Sequence, residues 1–259
     1  VGLLAVAALL AACLLGGCGG GGGGEDDQRI KVVATTDWIA DIVLNVGRGD
    51  VDVYTLSGPG QSPHEHRTTP QDLAALADAD VVFSSGAGLD LWARDALEEA
   101  GGDAPVIDLG AAVLLRQRRN GLDPHWWMDP MNVRAAIGKV RDGLTQADPS
   151  KGRQFKRDAL TYADQIVRLD EALRRCYAQL PRSQRRFDVV HNAWGYLAAR
   201  YGLRVVDRER VSVPGLYGDS LGPAGSGAST YISAQAHNAE RLVSALSDGR
   251  LHCRVRLQR

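Results

Sequence analysis

The sequence predicts an α/β protein of two lobes with mostly parallel sheets, joined by one long rigid helix, with the second lobe shortened. Three observations carry this. Short β-rich runs alternate with helical stretches from Ile30 to Leu109, an apolar stripe of four-three spacing runs from Phe155 to Leu180, and a second α/β pattern begins at Arg186 but stops early.

The first alternation reads IKVVATT, a helix over about Trp38 to Val46, VDVYTL, a helix over about Pro70 to Ala79, DVVFSS, a helix over about Leu89 to Ala100, and PVIDL. Strands separated by helices pair in parallel, and loops at their C-terminal ends are where such sheets bind ligands. Asp129-Pro130 places an N-cap before a proline and opens a helix over about Met131 to Gln146; Asp148-Pro149 repeats the device. Phe155, Ala159, Tyr162, Ile166, Leu169, Leu173, Cys176 and Leu180 then share one helical face. A helix of about 30 residues spans roughly 45 Å, too long for a crossover, and reads as a strut between lobes. A coiled-coil dimer seam is the weaker alternative, and a monomer is expected. RFDVV, a helix over about Trp194 to Tyr201 and LRVV follow; after a Gly/Pro/Ser-rich loop comes a last helix over about Thr230 to Leu246. The tail SDGRLHCRVRLQR shows no pattern and is expected to fray.

The chain thus divides into a leader (1–18), a tether (19–29), a first lobe (30–130), a helical segment with the linker (131–180), a shortened second lobe (181–247) and a tail (248–259). VGLLAVAALLAACLL carries no charge and suits a secretion signal better than a bilayer span. It lacks an initiating Met and a basic flank, so the true start is expected upstream. Leu10-Ala11-Ala12-Cys13 and Leu15-Gly16-Gly17-Cys18 both resemble the bacterial lipobox, and Cys18, followed by a glycine run and Glu25-Asp26-Asp27, is the expected lipidation site. An extracytoplasmic protein anchored to the membrane by lipid follows. Cys176 and Cys253 remain for the folded part; a bridge between them is open in an oxidising compartment, but two thiols of unknown geometry do not by themselves predict one.

Composition excludes several classes. Hydrophobic residues make up 44% and charged residues 24%, as in ordinary globular proteins. With 30 basic against 31 acidic residues the chain lacks the cationic excess of a nucleic-acid binder.

Of six histidines, His64, His125 and His191 fall in loops after predicted strands or directly before helix starts. Three neutral imidazoles with one carboxylate make a site for a first-row divalent metal. Asp219, in a turn-rich loop, is the leading carboxylate, with Asp123, Asp129 and Glu65 competing. His237 is expected to pack or cap, and Trp126 and Trp127 to pack beside the site.

These residues stand in segments that resemble a known family, the zinc- and manganese-binding solute-binding proteins of bacterial metal ABC importers. The segments are VVATTDWIADIVLNV, SPHEHRTTPQDLAALADADVVFSSGAGLDLW, DPHWWMDPMNV, DVVHNAWGYLAARYGL and YGDSLGPAGSGASTYISAQAHN. The resemblance implies two α/β lobes joined by a rigid helix, with Zn2+ or Mn2+ carried as cargo in the cleft and passed to a membrane permease. It places the ligands at His64, His125, His191 and Asp219, two from each lobe. Zinc is expected ahead of manganese because an N3O set follows the Irving–Williams order, although LLRQRRNG (114–121) stands where zinc members often carry a His- and acid-rich loop.

Two departures stand out. About a dozen residues, Arg204 to Gly215, fill an interval that in the family holds further strand and helix units. The second lobe is therefore expected to lack about half its sheet, to expose apolar faces and to leave Asp219 little chain with which to reach the histidines. His66 replaces the family's Tyr after the first ligand and offers an auxiliary metal ligand. Alternatives are a degenerate member without transport function, an adhesion-like surface lipoprotein, and, last, a metallohydrolase with Glu65 as general base.

Overall fold

A computed structural model describes residues 29–118, 121–207 and 213–257. The leader and tether, including Cys13 and Cys18, lie outside the described residues.

Strands β1 (Ile30–Thr36), β2 (Val51–Ser57), β3 (Val81–Ser84) and β4 (Val106–Asp108) form one parallel sheet in the order β2-β1-β3-β4. Helices α1 (Asp37–Gly47), α2 (Pro70–Ala77) and α3 (Trp92–Glu99) connect them. Local chemistry sets their starts. Thr36 accepts from the Ile39 N–H, and Thr69 forms a reciprocal capping box with Asp72 ahead of Pro70. Both faces of the central strands are buried, which is why they read as continuous apolar runs. A short antiparallel ribbon, β5 (Gln117–Arg118) and β6 (Gly121–Leu122), follows; the sequence carried no strand signal there.

Asp129 caps α4 (Pro130–Ala147) through the Met131 N–H, as predicted. Gly143 lets this helix lie close on the sheet, since a Cβ there would sit 2.4 Å from Ile107 and 2.8 Å from the Phe83 ring. The strut is α5 (Gly152–Ala178), 27 residues preceded by a 3-10 turn over Pro149–Lys151, so it starts a few residues later than the Asp148-Pro149 signal implied. Its whole predicted stripe is buried, against α1, α4 and α7 (Tyr231–Leu246).

In the second lobe, β7 (Arg186–Val189), α6 (Gly195–Tyr201) and β8 (Arg204–Asp207) form one βαβ unit with two parallel strands. Among the described residues that is its whole sheet. Apolar exposure is limited: Phe187 and Val189 are buried, whereas Val190, at the strand's end, is 57% exposed.

The tail corrects one expectation and settles the state of the two cysteines. It does not fray: Cys253 is buried and disulfide-bonded to Cys176 of α5, Leu251, Val255 and Leu257 pack on the core, and the Val255 N–H donates to Glu240 of α7 at 2.8 Å. A lone bridge spaced 77 residues apart leaves no local pattern, so only the folded chain shows that the two Cα atoms meet at 5.4 Å. No helix among the described residues is long and apolar enough to cross a membrane.

Candidate metal centre

His64 lies in the loop between β2 and α2, His125 immediately before the 3-10 turn Trp126–Met128 that leads into α4, His191 just beyond β7, and Asp219 in the loop between β8 and α7. The fold brings these four together: one nitrogen of each imidazole and one carboxylate oxygen all lie within 4.8 Å of one another. His125 Nε2 is at the centre, 3.2 Å from His64 Nε2, 3.1 Å from His191 Nε2 and 3.3 Å from Asp219 Oδ1. Asp219 Oδ1 is 3.2 Å from His191 Nε2 and 4.0 Å from His64 Nε2.

His125 is fully buried, whereas the His191 side chain is 47% exposed and flanks a cavity of about 540 Å3 bordered by Trp194, Tyr217 and Ser220. Only His125 is enclosed; His64 and His191 are exposed, one from each lobe. Asp123 Oδ1 lies 2.8 Å from His125 Nδ1; a carboxylate accepts only, so Nδ1 carries the proton and Nε2 presents a bare lone pair to the cluster.

Electrostatics follow burial and neighbours. Burial lowers His125, but the Asp123 and Asp219 carboxylates outweigh it and raise the imidazole above its ordinary value. His64 is lowered, first by burial and then by the His125 charge. Burial alone would raise the Asp219 carboxyl; the His125 and His191 rings overcome it and hold the group well below the usual carboxylate range.

The short interval before Asp219 does not keep it from the histidines, contrary to expectation. The missing strand units are not what positions this loop. Trp127 Nε1 donates to the Gly218 carbonyl at 2.9 Å, the Gly60 N–H donates to Ser220 Oγ at 3.0 Å, and the Leu221 N–H donates to Asp37 Oδ2 at 2.8 Å. Asn238 holds Tyr217 through both backbone groups, at 2.8 and 2.7 Å. Residues 217, 218, 220 and 221 are each fixed, so Asp219 is carried into place by its neighbours.

His66 is not in the cluster. Its Nε2 lies 3.1 Å from Asp72 Oδ2 and its ring packs on Trp92, so it braces the Thr69–Asp72 capping box instead of facing the four. The competing carboxylates are also elsewhere: Glu65 is exposed, Asp129 caps α4 and pairs with Arg200 at 3.1 Å, and Asp123 supports His125 from behind. His237 packs on Tyr217 and bonds the Gly215 carbonyl, as expected of a structural histidine. The sequence reading missed the supporting roles of Asp123, Asp37 and Asn238. The two-residue spacing in Asp123-Pro124-His125 was a usable signal for the first; nothing local marks the others.

The profile of the family described as zinc-uptake complex component A, periplasmic, matches residues 32–215, which include all three histidines. Manganese-binding lipoprotein MntA of Halalkalibacterium halodurans is 28% identical over 267 residues, covering 84% of this chain and 89% of its own. Zinc-binding protein TroA of Treponema pallidum is 26% identical over 272 residues, covering 83% and 88%. Iron-binding protein YfeA of Yersinia pestis is 32% identical over 185 residues, covering 69% and 59%. The solved structure of periplasmic zinc-binding TroA superposes with a TM-score of 0.76 at 25% identity, over 83% of this chain and 98% of that one. The metals in these relatives' names differ, but the architecture and the class of protein agree. The chain belongs to the family of zinc-uptake complex component A, periplasmic, the metal-binding receptors of ABC importers, and is a binding protein and not an enzyme.

Proposed function

We propose that the chain captures a divalent transition metal outside the cytoplasm at His64, His125, His191 and Asp219, zinc in preference to manganese, and delivers it to a membrane permease. The observation that supports this most directly is the buried Asp219 Oδ1, gathered with one nitrogen of each of the three imidazoles within 4.8 Å. Such a group is costly unless an electropositive partner joins it. A tetrahedral zinc with bonds of about 2.0–2.1 Å has ligand-to-ligand edges of about 3.3 Å, close to the spacings around His125. The His64 to Asp219 edge is longer, at 4.0 Å.

Three nitrogens and one oxygen favour zinc over manganese in intrinsic affinity. Calorimetric titration of residues 25–259 with Zn2+ and Mn2+ tests the assignment, with His64→Ala and Asp219→Ala as controls. Tight one-to-one binding, stronger for Zn2+ and lost in both variants, is expected. Weak binding indifferent to Asp219 withdraws the receptor reading in favour of a degenerate family member. The anchor at Cys18 belongs to the same proposal: Cys18→Ala should move the protein from the membrane to the soluble fraction.

A further inference from the structure

The β5–β6 ribbon stands where the two lobes meet beside the cluster, and Arg118 on it touches both ligand-bearing sides. Its Nε lies 3.4 Å from Asp123 Oδ2, while the opposite oxygen of the same carboxylate holds His125 Nδ1. Its Nη2 donates to the carbonyl of Asn192, the residue after His191. A continuous path therefore runs from His125 through Asp123, Arg118 and Asn192 to His191, joining a ligand of the first lobe to one of the second. The ribbon's own footing is firm: the Arg116 N–H donates to Tyr196 Oη at 2.8 Å, Tyr196 Oη donates to the Asp123 carbonyl at 3.0 Å, and the Asp123 N–H donates to the Arg116 carbonyl at 2.9 Å.

We infer that Arg118 is a positioning residue for metal capture, a cationic strap that fixes the His125 and His191 loops relative to each other. This rests on the metal-receptor reading of the four-residue cluster. Charge and geometry make opposite demands here, which gives the inference its sign. A cation this close to a cation site weakens binding by repulsion alone, so an Arg118 that did nothing else would bind metal better when neutralised. A strap that orders two ligands makes binding worse when removed, because outer partners of ligating residues are typically worth 10–100-fold in affinity. Arginine suits the task because its planar fork reaches a carboxylate and a carbonyl at once; lysine offers a point charge and only part of that.

The test uses the full chain with Co2+ as probe, which reports affinity and, through its visible absorption, ligand geometry. R118Q should bind Co2+ about 10-fold more weakly, with faster release and an altered absorption band. R118K should recover part of the loss. In a cycle with Asp123→Asn the two effects should fall short of additive, because Arg118 acts partly through Asp123. A circular-dichroism melt checks each variant's fold, and R118K carries the comparison if R118Q is unfolded. Binding by R118Q as tight as wild type or tighter, with an unchanged Co2+ band, overturns the strap. Failure of the wild-type chain to bind Co2+ instead overturns the receptor reading beneath it.

Discussion

His125 and Asp123, two residues apart, are joined twice: Nδ1 of the imidazole lies 2.8 Å from Asp123 Oδ1, and the His125 backbone N–H donates to the same oxygen at 3.3 Å. Both side chains are buried. The pair is what gives the central imidazole one defined tautomer. Asp123→Asn, which can present an amide N–H to Nδ1 and favour the opposite tautomer, should lower Zn2+ affinity by about 10–100-fold. Calorimetric titration beside wild type checks it.

Metal and proton compete for the same lone pairs, and this sets the pH dependence. His125 is raised by burial-opposed carboxylate attraction, so its charged form stabilises the metal-free protein below the unfolded imidazole's pKa, and that stabilisation is lost as pH rises through the folded value. Metal binding needs the neutral ring and releases the proton. The rise in melting temperature on adding Zn2+ should therefore grow from about pH 5.5 to about pH 8. Thermal melts with and without Zn2+ across that range measure it.

Asp37 adds to the loss of stability that the metal-free protein suffers as pH rises. Burial pushes its carboxyl up to about 7, against the lowering effect of the Leu221 N–H, and its Oδ1 is buried without a donor. A folded value above the unfolded one means stability is greatest at low pH and falls as pH rises from about 4 to about 7, by on the order of 4 kcal/mol. Asp37→Asn keeps an acceptor for Leu221 and cannot ionise, so it should be more stable than wild type near pH 8 and flatten this slope. Urea titrations at several pH values decide it.

The Cys176–Cys253 bridge ties the tail to the strut, so its loss should be felt beyond the tail. A closed loop of this size is worth about 2–4 kcal/mol, chiefly by restricting the unfolded chain. The Cys176→Ser/Cys253→Ser variant should melt several degrees lower than wild type. Reductant should lower the wild type to the same temperature and leave the variant unchanged.

The first sheet, the capped helices and the strut were legible because their signals are local. Val81–Ser84 is apolar on both faces, Thr69 and Asp129 stand before prolines, and the α5 stripe repeats at helical spacing. Boundaries moved by a few residues where a 3-10 turn over Pro149–Lys151 delays the helix start. The ribbon at Gln117–Arg118 was not legible, because two-residue strands carry no period to detect.

The site divides along the same line. By itself the sequence set His64, His125 and His191 in loops that follow from the strand pattern and offered Asp219 beside Asp123, Asp129 and Glu65; it was the resemblance of the surrounding segments to a known family that singled out the four. Only the tertiary structure decided that they converge, that Asp219 arrives despite so short an interval, and that His66 turns to Asp72 instead. Convergence depends on contacts between residues as distant in the chain as Asp37 and Leu221. Such contacts are chosen by the packing of the whole chain and leave no mark in the spacing of any one segment.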